Sequence, residues 1–207
     1  MADQDLIERL SRARIVPVVR TSRLETAETV VRWLRDAGLR VFEITLTVPD
    51  APTLIQRLAQ EPGLLIGAGT VPNVAAARAC LEAGARFLVA PWVDASLAGP
   101  ARAAGALLML GAMTPTEVRA ALSAGADVVK IFPARSAGGP AHIKALRSVF
   151  PGVTFCPTGG VEPAQVPAYL EAGAGFVGIG GALVDEKHVL AGDRAAVEAA
   201  VQVALGA

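Results

Sequence analysis

"SAGADVVKIFPA", residues 123–134, carries the pattern from which the rest of the chain is read. Ser123-Ala124-Gly125 has the composition of a helix end, with Gly where a left-handed residue follows the last turn. Val128 to Phe132 is an apolar run closed by Pro133, and it reads as a buried strand. The same unit recurs as DAGLRVFEI (36–44), EAGARFLVA (82–90), AAGALLMLG (103–111) and EAGAGFVGI (171–179). Its glycines, Gly38, Gly84, Gly105, Gly125 and Gly173, stand one or two periods of roughly 20 to 24 residues apart. Each unit is a helix, a glycine stop and a strand.

Eight strands are expected: Ile15–Val19, Val41–Leu46, Leu64–Thr70, Phe87–Pro91, Leu107–Met113, Val128–Pro133, Thr154–Gly160 and Phe176–Gly181. The stretches between them, such as LETAETVVRWLRDAG and PTEVRAALSAG, have helical spacing. Strands that alternate with helices imply a parallel sheet, and eight such units favour a closed (β/α)₈ TIM barrel over residues 1–207 as one domain. The opening segment MADQDLIERLSRAR adds an amphipathic helix before the first strand, with Leu6, Ile7 and Leu10 on one face. An open doubly wound sheet is the alternative, although no GxGxxG follows the first strand.

Composition narrows the function classes. The chain is 53% hydrophobic and 18% charged, which supplies a large core, and its formal net charge is zero. A nucleic-acid or anionic-membrane partner would call for a basic face, so neither is expected. No uncharged apolar run reaches the roughly 18 residues of a membrane span, and the N-terminal segment has no signal-peptide core. Cys80 and Cys156 are isolated and read as reduced buried thiols, so the expected compartment is the cytoplasm. His142 and His188 are far apart and read as surface helix residues. No cluster of these residues suggests a metal site, and no cofactor is called for.

Against this background Lys130 stands out, because a lysine in an apolar strand is costly to bury unless it is paired or neutral. Of 19 basic residues, only Lys130, Lys144 and Lys187 are lysines; the other sixteen are arginines. An amine can lose its proton and an arginine cannot. Side chains alternate along a strand, so Val128, Lys130 and Phe132 share one face, as do Val41, Glu43 and Thr45. Thr70, Thr158 with Gly159-Gly160, and Gly180-Gly181 close three further strands, at the end where barrels of this kind carry their sites. Two interpretations of Glu43 and Lys130 stand at this point. They form a buried structural ion pair, or they form a reactive amine with a carboxylate that moves its protons. In the second case an apolar surrounding disfavours the ammonium and frees the lone pair to attack a ketone as a Schiff-base nucleophile. That chemistry is a metal-free class I aldolase or a related lyase. A phosphosugar isomerase or epimerase that uses Glu43 as base, and a catalytically silent small-acid binder, are the rivals.

The blocks FEITLTVPDA, IGAGTV, FLVAP, GAMTPTE, VVKIFPA and FCPTGGV, in this order, run from IVPVVR to GIGGALV. In these the chain resembles the bacterial 2-keto-3-deoxy-6-phosphogluconate (KDPG) / 4-hydroxy-2-oxoglutarate (KHG) aldolase family. The resemblance implies a (β/α)₈ barrel, usually a homotrimer, that cleaves the phosphorylated keto acid to pyruvate and glyceraldehyde 3-phosphate without a cofactor. It implies Lys130 as the Schiff-base lysine and Glu43 as the general acid/base. It places Thr70 and Thr158 on the pyruvoyl part, Pro91 and Phe132 in the pocket wall, and Gly159, Gly160, Gly180 and Gly181 at the phosphate end. Arg20 matches an arginine of some relatives and either meets a substrate anion or is a solvated loop charge. Two departures mark this chain: Thr47 stands where some members have Arg, and Gly181 where many have Ser. The second removes a hydroxyl from the phosphate end and leaves open an unphosphorylated substrate or broad acceptance of aldehydes; a related keto sugar acid, such as the galactonate-derived one, is the alternative substrate.

Overall fold

The computed structural model describes residues 4–206, so residues 1–3 and 207 of the expected domain lie outside the described residues. Helix α1 (Gln4–Ala13) precedes the first strand. The eight strands are β1 (Ile15–Val19), β2 (Val41–Thr45), β3 (Leu65–Gly69), β4 (Phe87–Ala90), β5 (Leu107–Ala112), β6 (Val128–Ile131), β7 (Phe155–Pro157) and β8 (Val177–Ile179). Between them run α2 (Leu24–Asp36), α3 (Ala51–Ala59), α4 (Val74–Glu82), α5 (Ala98–Ala103), α6 (Pro115–Ser123), α7 (Ala134–Ala137), α8 (Gly139–Val149) and α9 (Val166–Glu171). Helices α10 (Glu186–Leu190) and α11 (Arg194–Leu205) end the chain.

The strands are parallel and lie in the order β7-β6-β5-β4-β3-β2-β1-β8. A bridge between Thr158 and Gly178 joins β7 to β8 and closes the ring. Every consecutive pair of strands is adjacent, which is the barrel and not the doubly wound sheet. The glycines of the repeat sit where they were expected: Gly38, Gly84, Gly105, Gly125 and Gly173 have φ between 63° and 101°, a conformation that ends a helix at low cost only without a Cβ.

Alternation sorts the strand residues onto two faces. Phe42, Ile44, Val129 and Ile131 point outward and pack beneath the helices, in a core that also holds Leu34, Leu54 and Tyr169. Val16, Val41, Leu65, Phe87, Leu107, Met109, Val128 and Phe176 fill the barrel interior. Leu6 and Leu10 of α1 belong to this inner cluster, so α1 plugs the barrel. A side chain at 0% exposure, as Leu10 is, contributes about 1.5–3 kcal/mol by burial alone.

Several strands are shorter than their sequence limits. The third, seventh and eighth span 65–69, 155–157 and 177–179 rather than 64–70, 154–160 and 176–181. At the C-terminal rim the chain turns away from the ladder: Thr70 has φ 55°, Gly159 94° and Gly160 71°. These rim residues therefore belong to the loops over the mouth. Among the described residues no helix is long and apolar enough to cross a membrane.

Candidate active site

Lys130 stands near the middle of β6, paired in register with Gly111 on one side and Cys156 on the other. Glu43 is the central residue of β2, opposite Gly67 of β3. Both point inward, and their side chains are 6% and 5% exposed. The Lys130 Nζ lies 3.6 Å from Glu43 Oε1. That oxygen is buried, and it accepts no hydrogen bond from the described residues. The pair is close enough for strong attraction but not closed into a hydrogen-bonded ion pair. An oxygen left in this state costs stability unless a group from outside the described residues bonds it.

The backbone makes room for this pair. A Cβ on Gly69 would overlap the Glu43 carboxylate, and one on Gly178 would overlap the Thr158 side chain. Small residues on neighbouring strands thus hold the space that the long polar side chains occupy. Thr158 is 5% exposed, and its hydroxyl lies 3.4 Å from the Cys156 carbonyl and 3.6 Å from the Cys156 thiol. Burial pushes that thiol up to about 11, and Cys80 likewise, so both stay protonated near neutral pH. The Lys130 Nζ sits 5.5 Å from the centre of the Phe132 ring, which rises beside it at the mouth.

The rim has two characters. Pro91, Trp92 and Phe132, after β4 and β6, form its apolar side; Trp92 and Phe132 are among the few exposed large hydrophobic residues. Arg20, Thr47 and Thr70, after β1, β2 and β3, form its polar side. Arg20 donates from Nη1 to Thr47 Oγ1 at 3.2 Å and from Nη2 to Thr70 Oγ1 at 3.0 Å. Arg20 is therefore held in place at the rim and is not a loose loop charge. Gly159 and Gly160 follow β7, with the Phe132 ring against Gly159. Gly180 accepts at its carbonyl from the N–H groups of Leu183 and Val184, which folds the loop after β8 back on itself. Gly181 is exposed, has no left-handed backbone, and has nothing within 4 Å of where its Cβ would stand, so the position has space for a side chain.

His142 differs from its expected place on the helix surface. It is half-buried, with Nε2 2.7 Å from the Met113 carbonyl just past β5. His188 is exposed beside Asp193. Sequence reasoning passed over Thr45, a fully buried hydroxyl that bonds both Val19 and Thr47. The available signal was a second polar residue on the Glu43 face of an otherwise apolar strand. Among the described residues, no group of three or more His, Cys, Asp or Glu side chains comes together to hold a metal ion.

Comparison with known proteins identifies the family. The KDPG and KHG aldolase family matches residues 6–200. The 2-dehydro-3-deoxy-phosphogluconate aldolase of Zymomonas mobilis is 39% identical over 83% of this chain and 81% of its own length. Its counterpart in Treponema pallidum is 35% identical over 97% of this chain and 96% of its own. The crystal structure of KDPG aldolase from Legionella pneumophila, with pyruvate captured as a covalent carbinolamine, superposes with a TM-score of 0.85 at 31% identity, covering 95% of this chain and 97% of that one. With an amine and a carboxylate facing each other in a parallel eight-stranded barrel, and with likeness along nearly its whole length, the chain belongs to the KDPG and KHG aldolase family.

Proposed function

We propose that this chain, as a single barrel domain, is a class I aldolase cleaving 2-keto-3-deoxy-6-phosphogluconate to pyruvate and glyceraldehyde 3-phosphate. On the same reading it also cleaves 4-hydroxy-2-oxoglutarate to pyruvate and glyoxylate. The observation that carries the proposal is the buried Lys130 amine 3.6 Å from a Glu43 oxygen that no other described group satisfies. The neutral amine adds to the C2 ketone, and loss of water gives an imine. Glu43, directly or through a water, takes the proton from the C4 hydroxyl. The C3–C4 bond then breaks, its electrons pass into the imine, and the aldehyde departs. The enamine left on Lys130 is protonated at C3, and water hydrolyses the imine to release pyruvate and the free amine.

The rim residues divide the rest of the substrate among them. Thr70 and Thr158 hold the pyruvoyl end, Pro91 and Phe132 wall the pocket, and Arg20 meets an anionic group. Thr47 acts with Arg20, while Gly159, Gly160, Gly180 and Gly181 offer backbone N–H groups to the phosphate. We further infer a homotrimer in the cytoplasm, which light scattering and fractionation would check. Pyruvate with borohydride is expected to add a stable mass to the Lys130 peptide; active enzyme with no adduct would sink the imine. Lys130→Arg is expected to fold and to lose cleavage. Cleavage that a chelator abolishes would count against the mechanism.

Gly181 favours a second reading, in which an unphosphorylated keto acid is also a good substrate. Because the position is open, Gly181→Ser is expected to fold normally and to raise the preference for the phosphorylated substrate. Steady-state rates on the two forms and on the galactonate-derived analogue separate these readings.

A further inference from the structure

The polar side of the rim continues inward beyond the residues that a substrate reaches. Thr45 ends β2 at 0% exposure, and its hydroxyl donates to the Val19 carbonyl at 3.0 Å. A carbonyl only accepts, so the single Thr45 proton is committed there. The Thr45 and Thr47 oxygens lie 2.8 Å apart, and the proton between them must therefore come from Thr47. Thr47 in turn has lone pairs free to accept from Arg20 Nη1 at 3.2 Å. The chain of donors thus runs one way: Arg20 to Thr47, Thr47 to Thr45, Thr45 to Val19. It ends on the backbone of the residue preceding Arg20, so the Arg20 side chain is tied back to its own strand through β2. Thr70 braces the other guanidinium nitrogen at 3.0 Å. Two of five N–H donors are spent on this clamp, and the other three remain for an anion.

We propose that Thr45 and Thr47 are positioning residues that set substrate affinity by fixing the orientation of Arg20 toward an oxyanion of the keto acid. Thr45 does this from beneath the mouth, without touching substrate. The proposal rests on the aldolase reading above. The oxyanion is the carboxylate, common to every substrate, or the distal phosphate.

Thr45→Val keeps the shape and removes only the hydroxyl. It is expected to raise KM about three- to tenfold, the range that the net worth of one hydrogen bond allows, with kcat nearly unchanged. Thr45→Ser should restore KM. In an Arg20→Ala background Thr45→Val should change KM no further, since residues acting through one another are not additive. A KM effect on phosphorylated and unphosphorylated substrates alike assigns the carboxylate, and an effect on the phosphorylated one alone assigns the phosphate. An unchanged KM on both, or an equal rise with and without Arg20, would overturn the proposal. If Thr45→Val does not fold, the exposed Thr47→Val breaks the next link and must give the same pattern. Failure of the underlying reading looks different: wild-type protein then forms no Lys130 adduct with pyruvate and borohydride.

Discussion

The cost of burying Lys130 and Glu43 is set by how completely each is compensated. At 3.6 Å between two buried side chains the attraction of the charged pair is substantial, but it offsets the desolvation of two ions only in part. Removing one partner leaves the other as an uncompensated buried charge, so Lys130→Met is expected to lower the unfolding free energy by roughly 3–5 kcal/mol. Adding Glu43→Gln to that variant should recover most of the loss, because no ion then remains to desolvate. Urea unfolding of the two single variants and the double variant measures this. Neither Lys130→Met nor the double variant should cleave substrate. A double variant as unstable as Lys130→Met would show that packing, and not charge, dominates at this site. Lys130 and Glu43 were legible in the sequence because a charge in an apolar strand is conspicuous. Thr45 was not, because threonine is at home in strands whether or not its hydroxyl has a task. Nor was the grip on Arg20, which joins residues 27 and 50 positions apart and exists only once three strand ends meet.

The elements that carry these residues are started and stopped by local chemistry that sequence displays well. The helix-glycine-strand repeat marked five of the eight strands, since each glycine does one local thing. Strand ends were less legible: where a strand leaves the ladder depends on where its neighbours leave, and that is a property of the closed barrel. Helix α6 is a case of local control. Thr114 accepts from the Glu117 N–H at 3.3 Å, and the Glu117 carboxylate accepts from the N–H groups of Met113 and Thr114 at 2.9 and 2.8 Å. Those two N–H bonds, then the Thr114 hydroxyl, hold the Glu117 carboxyl below its ordinary range. A depressed folded value means that the contribution is complete above the unfolded value of about 4.3 and is lost as pH falls through the lower folded one. Glu117→Ala is therefore expected to lower Tm by about 2–4 °C at pH 7, as loss of ~1 kcal/mol does in a domain of this size. The difference from wild type should shrink as the melts are taken to acid pH below that value. A gap that persists there would assign the effect to helix packing instead of to the carboxylate.

At the scale of the molecule the barrel separates stability from chemistry. The rim lies at the C-terminal ends of the strands, with the amine and the carboxylate within β6 and β2 beneath it, while Leu6 and Leu10 of α1 share an inner cluster with Val16, Val41, Leu65 and Phe176, nearer the strands' N-terminal ends. The same inner cluster also holds Phe87, Val89, Met109 and Val128. Deleting a buried side chain leaves a cavity that its surroundings fill only in part. Leu10→Ala is accordingly expected to cost about 2–5 kcal/mol of stability, as buried Leu→Ala changes do. Below its lowered Tm it should keep the KM and kcat of the parent, and its Lys130 adduct should form at the parent rate. Thermal melts and steady-state kinetics on the same preparation test both halves of this expectation. A loss of kcat in fully folded Leu10→Ala protein would mean that α1 sets the spacing of Glu43 and Lys130 through the barrel wall, and that the two ends of the molecule act as one unit.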